Sequence, residues 1–465
     1  MVYGGLLERR RRQYHVAAGL GFETLYASRL DDVVELLAYH FGRSGESEKA
    51  VDYAIRAGEK AQKRWATTEA LELFESALKR LETMEDSEAN RLRRVDTVLK
   101  QSEIKFALGR HAEHVQALEA IREIVETSAD PARQAAWHCW TGFLHSLTGA
   151  RPEVPIALCR KAVGIAEEEG FPELRAFAEC CLTHVYVVSG ELRAAIEAGE
   201  RAPSVFEAHH NAWWACRTLF GLSMAANALG EWSRGLEYCR RVVEYGRDLD
   251  DLRLKVVGLW RSGSTHIQRG AIAQGLQCCE DALALSPIAF DAVMTKATHG
   301  YGLIKRGDVA EGVAQLEAGV TWFRQANLQY THAFSALWLL EGFLRVGRHP
   351  EARALLEDVL ATARDRGYRH VEGMATCLLA EALMVDDPGA ATRHFETAIA
   401  LLERVGARNQ VANALEKQAA LRRAGGDVSG AQALLQRALD LFETLGTLDA
   451  IDRVRASLDR QRSTG

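Results

Sequence analysis

Along most of this chain the apolar positions recur at spacings of three and four, the rhythm of a helix packed on one side. No stretch alternates apolar with polar residues as a half-buried strand would. The pattern has a finer grain. Small residues at i and i+7 flank a large apolar residue at i+4, as in Ala70, Phe74 and Ala77, in Ala391, Phe395 and Ala398, and in Ala431, Leu435 and Ala438. These three positions share one helix face. The small side chains let a neighbouring helix approach, and the large one fills the space between them.

The unit returns at a fixed interval. GEWSRGLEYC, GAIAQGLQCC, GDVAEGVAQL and GRHPEARALL begin at Gly230, Gly270, Gly307 and Gly347, with a small residue five positions on (Gly235, Gly275, Gly312, Ala352). With Ala195, Ala391 and Ala431 in the same place, the steps are 40, 40, 37, 40, 39 and 40 residues. A second small residue (Gly142, Thr183, Ser223, Gly263, Gly300) stands seven before the turn glycine, and a ring follows three later at His145, Tyr186 and His266. Self-similarity at such a period marks stacked supersecondary units. The predicted elements are a helix over 5–27, another over 30–43, a hairpin closing at Gly45 on Ala50, Ala54 and Ala57, and a helix at about 66–83. The polar run Thr83–Asn90 marks a boundary. Further hairpins turn near Gly109, Gly149, Gly190, Gly230, Gly270, Gly307, Gly347, Asp386 and Gly426, and a charged helix over 447–462 covers the last apolar face. The expected domains are 1–83, an N-terminal helical segment; 84–446, the repeat array; and 447–465, a capping helix and tail.

The order small, ring, turn glycine, small-large-small resembles the tetratricopeptide (TPR) repeat, a helical hairpin of about 34 residues. The longer period here implies longer helices or loops. HEAT repeats fit the length, but the small-residue pattern favours TPR. The resemblance implies an all-α, right-handed α-solenoid whose first helices line a concave groove. Counting back from each turn glycine maps a ladder onto that groove: Cys139 and Phe143; Cys180 and His184; Phe220, Met224 and Asn227; Trp260, Ser264 and Ile267; Ala297, Tyr301 and Ile304; Leu337, Glu341 and Leu344. The partner-binding candidates are Phe143, His184, Phe220, Met224, Asn227, Trp260, Ser264, Ile267, Tyr301, Ile304, Leu337 and Glu341. The ladder is mostly apolar and aromatic. It lacks the Lys, Arg and Asn of the carboxylate clamp found in chaperone-binding TPR domains. Curvature is expected to bury part of it as core.

The first 83 residues carry a second resemblance. YGGLLERRRRQYH, then ELLAYHFGRSGESEKAVDYAIRAGEKA and EALELFESALKRLE, are similar to the junction after the ATPase module in bacterial multidomain signalling ATPases. Those join a class III nucleotide cyclase or transcription regulator to a P-loop ATPase and a TPR-like tail. The matching residues are Tyr3, Leu6, Leu7, Arg9, Arg10, His15, Leu36, Leu37, Ala38, His40, Phe41, Gly45, Ala50, Tyr53, Ala57 and Gly58. The resemblance implies sensing or partner binding that regulates such an effector. It carries no activity over, because the sequence has no GxxxxGK[ST] loop to cradle phosphates and no cyclase-like region. Met1 falls where the last part of the ATPase module would be, so the chain resembles the C-terminal half of such a protein, as an excised piece or a separate gene product.

Composition narrows the chemistry. The 465 residues carry a formal charge of −6, which disfavours a phosphate-gripping protein and makes nucleic acid an unexpected partner. Arg9 to Arg12 turn through about 300° of a helix, so they ring it without forming a stripe. They read as a solvated turn on a helix with an apolar face of Leu7, Tyr14, Ala18, Phe22 and Leu25. The nine cysteines include no CxxC, so neither a zinc site nor a redox motif is indicated, and no cofactor is expected. His209 and His210 point about 100° apart on a helix, and His138 with His145 has no third ligand nearby, so no metal is expected. No run reaches the roughly 18–20 apolar residues of a membrane span, and the cytoplasm is the expected compartment. No nucleophile–base pair emerges from spacing, so the chain is not expected to be an enzyme. Tryptophans instead gather on first helices: Trp137, Trp140, Trp213, Trp214, Trp260 and Trp338. The leading expectation is a non-enzymatic scaffold or sensor that binds a protein or peptide in its groove. The alternative is a small-molecule sensor with its ligand inside the superhelix near 213–260.

Overall fold

The computed structural model describes residues 8–64, 66–285 and 288–462. Tyr3, Leu6 and Leu7 of the junction resemblance, and the start of the expected 5–27 helix, lie outside them. Among the described residues every regular element is helical. The chain forms two compact units, residues 1–144 and 145–465, divided inside the helix Pro131–Leu147.

The first unit opens with Glu8–Leu25, the short turn Leu30–Val33 with Val34–Gly42, then Ser47–Lys63, Thr67–Leu81 and Glu88–Ala107. Its core rests on close approach of small to large residues. Phe74 lies against Gly58, where a Cβ would stand 2.7 Å from the ring, and Phe41 lies against Gly19 in the same way. The junction-matching residues Leu37, Ala38, Phe41, Ala50, Tyr53 and Ala57 are buried together. The expected face of the first helix holds at Phe22, which packs against this core, and needs correction at Tyr14 and Leu25. Tyr14 and Leu25 are exposed (59% and 80%), while His15 and Gly19 are buried. Gly19 admits the Phe41 ring, and His15 Nδ1 sits 3.0 Å from His40 Nδ1, so the helix packs on the face that offers the closest approach. Arg9, Arg10 and Arg12 are exposed on it, and Arg12 pairs with Glu8.

The second unit is an array of hairpins. Its first helices are Pro172–Ser189, Ala212–Leu229, Leu252–Arg269, Ala289–Arg306, Gln329–Arg345, Arg369–Leu383 and Arg408–Ala424, and Leu448–Arg462 closes it. This is an α-solenoid of TPR-like hairpins. In two hairpins the two small positions of the repeat prove to be partners across the helix pair. A Cβ on Gly312 would stand 2.5 Å from the Gly300 carbonyl oxygen, and one on Gly275 would stand 2.8 Å from that of Gly263. The turn glycines take left-handed backbone, as at Gly190 (φ 83) and Gly230 (φ 78). A second left-handed series, invisible in the glycine pattern, ends the return helices: Gly170, His210, Asp250, Asn327, Gly367, Gly406 and Gly446. His210 therefore serves as a turn residue.

Within this unit the superhelix closes on itself. Arg366 donates to the Gly149 carbonyl, 217 residues away, and Arg151 Nε donates to that of Asp365 at 3.2 Å. Gly190 lies against Val405 and the His370 amide, Gly230 against Leu445, and Gly270 against Asp449. Arg269 Nε reaches the Gly446 carbonyl at 3.4 Å. Turns on one edge of the early hairpins thus rest on turns at the opposite edge of the late ones.

Candidate functional site

Successive first helices approach one another, as Ala212–Leu229 does Leu252–Arg269 and Leu252–Arg269 does Ala289–Arg306, so they line the concave side of this superhelix. Glu341 feels Lys417 two hairpins away, and Tyr330 feels Arg261 two hairpins away in the other direction. Side chains that far apart in the array approach each other on the side where neighbouring helices converge. Successive helices are stitched there by polar pairs. Asn227 Nδ2 donates to Thr265 Oγ1 at 2.8 Å, and Thr447 Oγ1 donates to Asn409 Oδ1 at 2.9 Å.

Rings form one part of the wall. Tyr301 stacks on Trp338 with centroids 4.7 Å apart, Phe334 meets Trp338 at 5.4 Å, and Phe220 meets Trp260 edge-on at 5.8 Å. Tyr330 and Tyr368 lie 5.3 Å apart. Charges form the other part. Lys305 Nζ donates to Glu341 at 2.6 Å, Arg345 donates to the same carboxylate at 2.7 Å, and Lys417 pairs with Glu381. Burial alone would raise the Glu341 pKa, but Lys305, Lys417 and Arg345 together hold it down at about 2. Burial pushes the Tyr301 phenol up to about 12, and burial pushes His370 down to about 4. These charges are neutralised in place, so the stretch 289–424 offers rings set among closed ion pairs.

The twelve sequence candidates separate by exposure. Phe143, in the first unit, is buried against Phe106 and Trp140. In the second unit Asn227, Trp260, Ser264, Ile267, Tyr301, Ile304 and Leu337 are buried. Trp260 is 1% exposed and Ile304 is fully covered, because both fill the seam between a first helix and its return helix. His184, Phe220, Met224 and Glu341 are half-buried and keep contact with solvent. Four residues on the same wall escaped the sequence ladder: Phe334, Lys305, Arg217 and Arg261. Phe334 and Arg217 stand thirteen before their turn glycines, and Lys305 stands two before its own. Extending the mapped helix face one turn toward the helix start would have found Phe334 and Arg217, whereas Lys305 and Arg261 each stand next to a mapped position, one residue around the helix. Among the described residues no group of three His, Cys, Asp or Glu is arranged to hold a metal, and no helix is long and apolar enough to cross a membrane. All nine cysteines are free thiols.

No protein-family model matches this chain. No curated protein matches it either. Solved structures do. NprR in complex with its cognate peptide NprX aligns with a TM-score of 0.58 and 14% identity, over 77% of this chain and 99% of that one. The Rap conjugation gene regulator of the plasmid pLS20, in complex with the Phr* peptide, aligns with a TM-score of 0.52 and 12% identity, over 77% of this chain and 97% of that one. Aspartyl phosphate phosphatase F from Bacillus subtilis aligns with a TM-score of 0.50 and 12% identity, over 78% and 97%. At these identities the likeness is one of fold, and the fold is the TPR-like helical solenoid.

Proposed function

We infer that this chain is a non-catalytic TPR-like scaffold that binds a peptide or an extended protein segment on the inner wall of residues 145–465. The observation that carries it is the row of half-buried side chains, His184, Phe220, Met224, Phe334 and Glu341, held on rigid helices with solvent contact retained. Rings presented this way give large contact area at little cost in entropy. The buried candidates Asn227, Trp260, Ser264, Ile267, Tyr301, Ile304 and Leu337 hold that row in place. Two solenoids of like fold were captured with peptides, which supports a peptide over a folded surface as the occupant. The regulated effector in this reading is a P-loop ATPase or nucleotide cyclase module, on the strength of the sequence resemblance in the first 83 residues. The cytoplasm suits both parts of the reading.

The test is selection of binders to the full chain from a displayed random-peptide library, followed by Phe334→Ala and Phe220→Ala. Each variant should weaken the selected peptides about tenfold, as loss of an interfacial ring does, with helicity unchanged. Selected peptides that bind both variants at full strength would place the site elsewhere.

A further inference from the structure

One charge on the inner wall is not neutralised. Arg261, in the helix Leu252–Arg269, is 8% exposed. Its Nε donates to Ser223 Oγ at 3.2 Å. Its guanidinium carbon lies 5.3 Å from the Phe220 ring centroid and 5.3 Å from that of Trp260. Among the described residues no carboxylate lies within ion-pair distance of Arg261, and its Nη1 and Nη2 donors have no protein acceptor. Those two nitrogens are not sealed from solvent either. Arg217 stands one helix earlier, its guanidinium also 5.3 Å from Phe220. Burial lowers the pKa of both arginines.

A guanidinium without a counterion is costly to hold in a protein interior. The two flanking rings offset part of that cost. The contrast lies further along the same wall, where Lys305, Arg345 and Lys417 each have a carboxylate. The wall therefore has a positive pole at Arg261 and a neutralised stretch beyond it. Arginine's planar fork fits a carboxylate with two parallel hydrogen bonds, and both outer nitrogens of Arg261 are available for them.

We propose that Arg261 is the anchor for a carboxylate of the bound peptide, either an Asp or Glu side chain or the C-terminal group, with neighbouring residues of the peptide lying along Phe220, Met224 and Phe334. This rests on the peptide-binding reading above and adds the chemical class of ligand to it. The row from Phe220 to Phe334 crosses four first helices, Ala212–Leu229 through Gln329–Arg345. At roughly 8–10 Å between packed helices this is about 25–30 Å, the span of about eight extended residues and far longer than a small carboxylate needs.

The experiment uses the full chain with positional-scanning libraries of fluorescein-labelled octapeptides, each made with a C-terminal acid and with a C-terminal amide. Binding is read by fluorescence polarisation for the wild type, Arg261→Met and Arg261→Lys. In the wild type, changing one Asp or Glu to Asn or Gln, or the terminal acid to the amide, should weaken binding about ten- to a hundredfold. Arg261→Met should erase that discrimination while pools without a carboxylate bind as before, and Arg261→Lys should keep part of it. A wild type that binds acid and amide alike, or an Arg261→Met chain that discriminates as the wild type does, overturns the anchor and leaves peptide binding standing. No binding by any pool removes the peptide reading itself, and the anchor with it. Benzoate alone stabilising the wild type as much as the best peptide, and not Arg261→Met, would show a small anion as the ligand and overturn the proposal. Should Arg261→Met not fold, the acid-to-amide comparison in the wild type and the Arg261→Lys result still decide it.

Discussion

His370 shows at the scale of one residue how this fold sets a charge. Its ring is 3% exposed, its Nε2 has no partner, and burial lowers its pKa to about 4 from an ordinary 6.5. Between those values the unfolded chain binds a proton that the folded chain does not. Stability contributed by the neutral ring is complete above pH 6.5 and is lost as pH falls toward 4, by ~3 kcal/mol at most. His370→Leu should flatten the fall in urea midpoint between pH 6.5 and 4, and an unaltered slope would show that the ring already titrates normally. Glu341 follows the same sign lower on the scale. Its folded value near 2 makes its contribution fade only as pH drops from about 4.5 toward 2. The sequence singled out Glu341 but not His370, and neither state could be read from it, because each depends on which helices close over the side chain.

At the scale of the element, the repeat's small residues were legible as a pattern, and the structure gives their reason. Gly300 and Gly312 bring two helix backbones together, leaving a Cβ on Gly312 only 2.5 Å from a carbonyl oxygen. In an exposed helix Gly→Ala would stabilise by roughly 1 kcal/mol. Gly312→Ala should instead lower the melting temperature, because the opposed backbone has to move. A melting temperature at or above the wild type would mean that the hairpin has slack at this seam. The turns were also readable: Gly109, Gly149, Gly190, Gly230, Gly270, Gly307, Gly347 and Gly426 all take positive φ where hairpins were expected to turn. The complementary series at the return turns was missed because its left-handed residue is variously Gly, His, Asp or Asn, which hides it from a search for glycine. The first helix went astray for a related reason. Tyr14 and Leu25 look like a packing face by hydropathy, but Gly19 grants Phe41 a closer approach.

At the scale of the 145–465 unit, closure governs what the inner wall can meet. Arg366 at Gly149, Arg151 at Asp365 and Arg269 at Gly446 tie one edge of the superhelix to the other. Arg366→Ala with Arg269→Ala should loosen those ties and raise the radius of gyration measured by small-angle X-ray scattering, with helicity by circular dichroism retained. An unchanged radius would assign closure to the apolar contacts at Gly190 and Gly230 alone. Of the proposed row, Phe220, Met224, His184 and Glu341 were reached by counting back along a helix, whereas the isolation of Arg261 came only from seeing which carboxylates lie elsewhere.

The sequence by itself determined the helices, their pairing into hairpins, the period near 40 and the places where the chain turns. Each of these is encoded within one repeat, by the spacing of small, large and left-handed residues. The tertiary structure alone decided that the array closes, that eight of the twelve partner-binding candidates are buried, and that, among the described residues, Arg261 faces the interior without a counterion. Closure depends on contacts up to 217 residues apart, reached by adding a small rotation at every hairpin. No local pattern records that sum.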